Sequence, residues 1–223
     1  MKKFLLLLPL FIICNLMFAQ TRFFIQSEMT VGKVLEGSKL ESNEFSGFVN
    51  ERRAFESWDL EPQRTHWSYG AGMKGGIVVN NFLYIYTGAR YRKVINEGIF
   101  YCILCDYIVE ESTLLELDFL EIPLGVRVNF FKNKRLQPYF SSEVFWSKKV
   151  GQKEIPFFGG FYNKNLDLFR IAYKAGAAYK IGTSKNWEIS VQSGLNTNLG
   201  KQKSYPRYDF REVTAEVGVL RVF

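Results

Sequence analysis

Along most of this chain apolar and polar residues alternate with a period of two, and the pattern restarts eight times. Extended backbone points successive side chains to opposite sides, so each stretch reads as a strand with one apolar and one polar face. The first, about Phe23 to Lys33, sets Phe23, Ile25, Met29 and Val31 against Gln26, Glu28, Thr30 and Gly32. The second, about His66 to Val79, sets Trp67, Tyr69, Ala71, Met73, Ile77 and Val79 against Ser68, Gly70, Gly72, Lys74 and Gly76. The third, Phe82 to about Lys93, sets Leu83, Ile85, Ala89 and Tyr91 against Tyr84, Tyr86, Gly88, Arg90 and Arg92. The fourth opposes Ile122, Leu124, Val126, Val128 and Phe130 to Glu121, Pro123, Gly125, Arg127 and Asn129. The fifth opposes Phe140, Val144 and Trp146 to Tyr139, Ser141, Glu143 and Ser147.

In the sixth, Phe169, Ile171, Tyr173, Ala175, Ala177, Tyr179 and Ile181 face away from Arg170, Lys174, Gly176 and Lys180. In the seventh, Trp187, Ile189, Val191 and Leu195 face away from Glu188, Ser190, Gln192, Gly194 and Asn196. The eighth opposes Val213, Ala215, Val217, Val219 and Phe223 to Glu212, Thr214, Glu216 and Gly218. Connections alternate in length. Asn80-Asn81, Lys132 to Arg135 and Gly182 to Asn186 are short. Val34 to Thr65, the stretch after Val94 and the stretch after Val150 are long, and Gly200 to Asp209 is modest. An even number of strands, each long enough to cross a bilayer at a tilt, with short turns at one rim, is the pattern of an outer-membrane barrel.

No stretch after residue 20 offers the roughly twenty apolar residues of a membrane helix, yet 17% of the chain is aromatic. In lipid every backbone polar group needs an internal partner, which leaves a closed barrel. The expected fold is therefore all-β: an eight-stranded antiparallel up-and-down transmembrane β-barrel with long outer loops and short periplasmic turns.

A soluble barrel that buries its apolar face would show the same period. Three features favour the membrane arrangement. Glycines gather on the polar face, where small residues suit a crowded lumen. Six acids (Glu28, Glu121, Glu143, Glu188, Glu212, Glu216) share that face with the bases Lys74, Arg90, Arg127, Arg170, Lys174 and Lys180, a balance that permits pairing of buried charge. The last strand ends the sequence, with no helix after it.

Residues 1–19 read as a cleaved signal peptide, with Lys2 and Lys3 before the apolar run Phe4 to Ile13 and Ala19 at the cleavage point. Residues 20–223 are then the barrel domain. Cys14 resembles a lipidation site less well, because Ile13 stands where a small residue is needed. Export and a spanning barrel place the chain in the cell outer membrane, in contact with its lipid and lipopolysaccharide. The net charge of +7 is scattered, without the basic stripe of a nucleic-acid binder, so no nucleic-acid partner is expected.

Strand eight, with its alternating apolar residues and terminal Phe223, resembles the signal read by the outer-membrane assembly machinery; Arg221 departs from the usual aromatic. The run Leu120-Glu121-Ile122-Pro123-Leu124-Gly125-Val126, with Leu136-Gln137-Pro138-Tyr139 after a short turn, resembles the PorT-like outer-membrane β-barrel family of Bacteroidetes-type bacteria. That resemblance implies an eight-stranded barrel, some of whose relatives serve a secretion apparatus, and with it possible secretion-complex partners.

Chemistry-bearing residues are few. His66, the one histidine, shares the polar face with Ser68 near the loop end of strand two. A rim histidine beside Trp67 is read as an interfacial polar residue rather than a catalytic base. Cys102 and Cys105 form a lone C-x-x-C, short of a zinc site, and stand either as a disulfide or as two thiols. Trp67, Tyr69, Tyr91, Phe130, Trp146, Phe169, Trp187 and Phe223 read as interfacial girdles. Phe157-Phe158-Gly159-Gly160-Phe161-Tyr162 is expected to pack over the barrel mouth. No catalytic, cofactor or metal residue is assigned; the expected role is structural or protein-interacting, linked to secretion or surface assembly, with a lipid-modifying enzyme at the outer rim or a small pore as the alternatives.

Overall fold

A computed structural model describes residues 21–35, 39–41, 47–49, 52–54, 58–59, 67–101, 110–131, 134–155, 167–182, 186–199, 207–209 and 211–223. Its eight long strands are β1 (Thr21–Val34), β2 (Trp67–Val79), β3 (Leu83–Tyr101), β4 (Glu110–Asn129), β5 (Leu136–Ile155), β6 (Asp167–Ile181), β7 (Trp187–Asn198) and β8 (Arg211–Val222). Each pairs antiparallel with the next, and β8 pairs with β1, so the sheet closes on itself. No helix occurs among the described residues. The proposed signal peptide, His66, Cys102, Cys105 and the run Phe157 to Tyr162 lie outside them.

The ladder fixes the barrel's geometry. Stepping across it from Phe24 leads through Gly76, Tyr86, Gly125, Glu143, Ala172, Asn196 and Glu212 back to β1 at Val34, ten residues further along. Eight strands with that stagger tilt at roughly 40° to the axis and leave an interior that side chains just fill. Gly76 and Gly88 sit where backbones press closest. A Cβ built on Gly88 would meet the Met73 carbonyl oxygen at 2.1 Å, and one on Gly76 would meet that of Ile85 at 2.0 Å.

Three short connections gather at one rim, the turn rim, beside the start of β1 and the end of β8. The tightest is Asn80-Asn81, where both residues hold left-handed backbone at φ 51° and 60° and the Phe82 amide donates to the Val79 carbonyl at 3.1 Å. Such a pair matches the strand twist of a tight hairpin, and asparagine tolerates it better than most side chains.

The opposite rim, the loop rim, is uneven. The sequence breaks strands three and four near Val94, but β3 runs on to Tyr101 and pairs with β4 as far as Glu110. β5 likewise continues to Ile155, past the expected break at Val150. The long connection read there is largely a continued hairpin. Ile95, Ile99, Phe100, Tyr101, Leu114 and Leu115 favour extended backbone, so the ladder outlasts the alternation. A bulge at Val150 marks the height where this wall leaves the barrel, since Asp118 pairs with Gly151 but Phe119 with Lys149.

Outside, the apolar positions are exposed: Phe23 by 69%, Met29 by 72%, Leu124 by 64%. A wall this apolar on every strand suits lipid, not water. Trp67, Tyr69, Tyr91, Phe130, Phe169, Trp187 and Phe223 are exposed on it near its two edges, while Trp146 is half-buried. Val79, expected outside, is buried, because the alternation ends as the chain enters the Asn80-Asn81 turn. Lys180, expected in the lumen, is only half-buried near the turn rim.

Candidate functional site in the barrel lumen

The polar faces of all eight strands converge on the axis. Among the described residues the buried charged side chains are Glu28, Glu121, Glu143, Glu188, Glu212 and Glu216, with Lys74, Arg90, Arg92, Arg127, Arg170 and Lys174. Six negative charges thus meet six positive ones. All twelve lie in ion pairs of 3.7 Å or less.

The register stacks them in levels. Nearest the turn rim, Phe24, Val78, Tyr84, Tyr86, Leu220 and Val222 form an apolar cluster, in which Phe24 meets Tyr84 edge-on at 5.4 Å between centroids. Beside it the Arg127 guanidinium is held between two rings, 4.7 Å from Tyr84 and 3.9 Å from Tyr139. Its Nη2 donates to Glu188 at 2.5 Å and its Nε to Asn129 at 2.8 Å. Asn129 donates in turn to Gln137 at 2.7 Å.

The middle level is built on lysine. Lys74 bridges Glu28, 2.6 Å away, and Glu143. Lys174 bridges Glu143 at 2.6 Å and Glu216 at 2.7 Å. The Tyr86 hydroxyl adds a donor to Glu143 at 2.9 Å, and Gln192 donates to Glu216 at 2.5 Å.

Towards the loop rim, arginine takes over. Arg90 Nε donates to Glu121 at 2.6 Å and its Nη1 reaches Glu216 at 3.3 Å, tying this level to the one below. Arg170 donates to Glu121 at 3.2 Å. Arg92 pairs with Glu212 and donates to Ser68 at 3.1 Å. The Phe145 ring fills the space between Arg90 and Arg170, 5.2 Å and 4.7 Å from the two guanidinium carbons. Val34, Val94, Leu117, Phe119 and Leu168, all buried, end the lumen above.

Chemically this is a fixed, neutralised core. Each of these six carboxylates faces an ammonium or a guanidinium within 3.7 Å. Ser68 faces the lumen as expected, but its hydroxyl is spent on Glu212 and Arg92. Of the bases expected here, five are in place and Lys180 is not; Arg92 completes the set. Phe24, Phe145, Leu168, Leu220 and Val222 also face inward. The alternation carried that information by position, but their apolar type hid it.

No protein-family model matches the chain, and no curated protein sequence does. Among solved structures the chain is similar to the outer membrane protein OprG from Pseudomonas aeruginosa, with a TM-score of 0.54 and 11% identity, covering 92% of this chain and 97% of that one. It is also similar to Neisserial surface protein A, with a TM-score of 0.51 and 11% identity over 90% of this chain and 97% of that one. At such identity the likeness speaks for the fold alone, which is that of an eight-stranded outer-membrane barrel.

Proposed function

We propose that this chain is an integral outer-membrane protein whose barrel is a non-conducting anchor, holding the connections of its loop rim at the cell surface for contact with other envelope proteins. The observation that carries this reading is the lumen, where twelve paired charges between two apolar layers occupy an interior that eight strands leave just wide enough for side chains. The turn rim then faces the periplasm and the loop rim faces outward, as in single-chain barrels of this class. Residues 1–19 serve as the export signal, and the terminal strand with Phe223 as the address for the assembly machinery. The likeness of Leu120–Val126 and Leu136–Tyr139 to the PorT-like family supports membership there and makes secretion-complex proteins the first partners to seek.

The role is structural rather than catalytic. Ser68, two residues from His66, is engaged by Glu212 and Arg92. Planar-bilayer recording tests the closed lumen: the folded protein gives no steady conductance steps, and their appearance would overturn the anchor. Crosslinking in native outer membrane tests the interaction role, with reproducible capture of secretion-complex subunits as the expected result. An unaltered lipid A profile in a His66→Ala strain is the expected outcome for a protein without lipid-modifying activity.

A further inference from the structure

Where the apolar wall ends at the loop rim, outward positions turn charged at one height: Lys33 on β1, Lys93 on β3, Asp118 on β4, Lys148 on β5, Asp167 on β6 and Arg211 on β8. Two of the lysines face an aspartate directly across the ladder, Lys93 opposite Asp118 and Lys148 opposite Asp167. Lys93 is further tied to Glu116 at 2.9 Å. Lys33 is different. Its ladder partners are Val213 and Trp67, neither of them acidic.

Below Lys33 the same patch is apolar, with Val31, Met29, Tyr69 and Val213 all exposed on the wall. A cation set at the top of a greasy strip, beside an indole suited to an interface, fits a molecule with an anionic head and acyl chains. We infer that the patch around Lys33 and Trp67 is a binding site for a phosphorylated lipid of the outer leaflet, its phosphate on Lys33 and its acyl chains along β1 and β8. The phosphate carried by lipid A is the source that this height selects, because a free phosphate has no use for the strip below. The site rests on the outward orientation of the loop rim given above.

The test uses the full-length protein, purified in detergent, its folding checked by heat-modifiable mobility in gels. Binding of bisphosphorylated lipid A, its dephosphorylated form and phosphatidylglycerol is measured by native mass spectrometry. The wild-type protein favours the bisphosphorylated lipid, and Lys33→Gln weakens that binding about fivefold, the worth of one lysine near an anionic surface. Lys148→Gln, whose charge faces Asp167, leaves it within about twofold, below that single-charge effect. Equal binding of the phosphorylated and dephosphorylated lipids by the wild-type protein overturns the site, even should the variant not fold. Wild-type affinity in Lys33→Gln, or equal preference for phosphatidylglycerol, overturns it as well. Orientation is read separately, from an epitope in the β1–β2 connection detected on intact cells, so that its failure is distinguishable from failure of the site.

Discussion

The ammonium of Lys174 stands 2.6 Å from one oxygen of Glu143, while the other oxygen of that carboxylate takes Lys74. Glu143 therefore neutralises two buried cations from strands on either side of the lumen. Glu143→Gln leaves both ammonium groups short of charge and costs about 3–5 kcal/mol, the penalty of breaking a buried pair from one side. The Glu143→Gln, Lys174→Met double variant costs less than the two single changes added together, because it removes one cation with one anion and keeps the lumen's charge balanced. Urea unfolding in lipid vesicles, followed by tryptophan fluorescence, measures both.

Arg127 tests a different bond. Held between the rings of Tyr84 and Tyr139 and paired with Glu188, it offers charge and a flat face together. Arg127→Lys keeps the charge and loses the stacking, for about 1–2 kcal/mol. Arg127→Leu also strands Glu188 and costs about 3–5 kcal/mol. The same unfolding assay ranks them; equal costs would show that the pairing with Glu188 contributes nothing, and an unchanged Arg127→Lys that stacking contributes nothing.

The outer wall makes a prediction by height. Leu124 lies mid-wall, and Leu199 lies just past the loop-rim end of β7; both are exposed. Leu124→Arg costs about 2–4 kcal/mol in a bilayer and Leu199→Arg no more than about 1 kcal/mol. The difference vanishes if the apolar wall does not meet lipid.

The turn at Asn80 separates backbone from side-chain effects. Its φ of 51° is open to Gly and poor for a β-branched residue. Asn80→Gly holds stability near the wild-type value, while Asn80→Val lowers it by about 1–2 kcal/mol. Asn81 is the worse probe, since its side chain also accepts from Arg22.

Much of this architecture was legible because alternation is a local signal. Glu28, Lys74, Glu143, Lys174 and Glu216 fall on the inner face by counting, and their residue types announce a lumen that is charged yet balanced. Legibility failed where type and position disagree. Phe24 and Leu220 are as apolar as their wall-facing neighbours, yet line the inside, because the turn-rim end of the lumen is closed with rings and branched chains. The wall above Lys93 was missed for the reverse reason. From Asn96 to Tyr101 nothing alternates, and it is the pairing with the partner strand, brought close by the fold, together with the extended preference of Ile99, Phe100 and Tyr101, that continues the wall. Which cation contacts which carboxylate was beyond reach too, since the ten-residue stagger that sets their heights is a property of the whole closed ladder.

The pairing of Phe24 with Val222 joins the first and the last strand of the barrel. Until the last of them emerges, the first has one unmet edge, and hydrocarbon cannot satisfy its amides and carbonyls. A partly inserted barrel therefore needs something other than lipid to pair that edge. The twelve charges are sealed from the surroundings by the same ladder that joins β8 to β1.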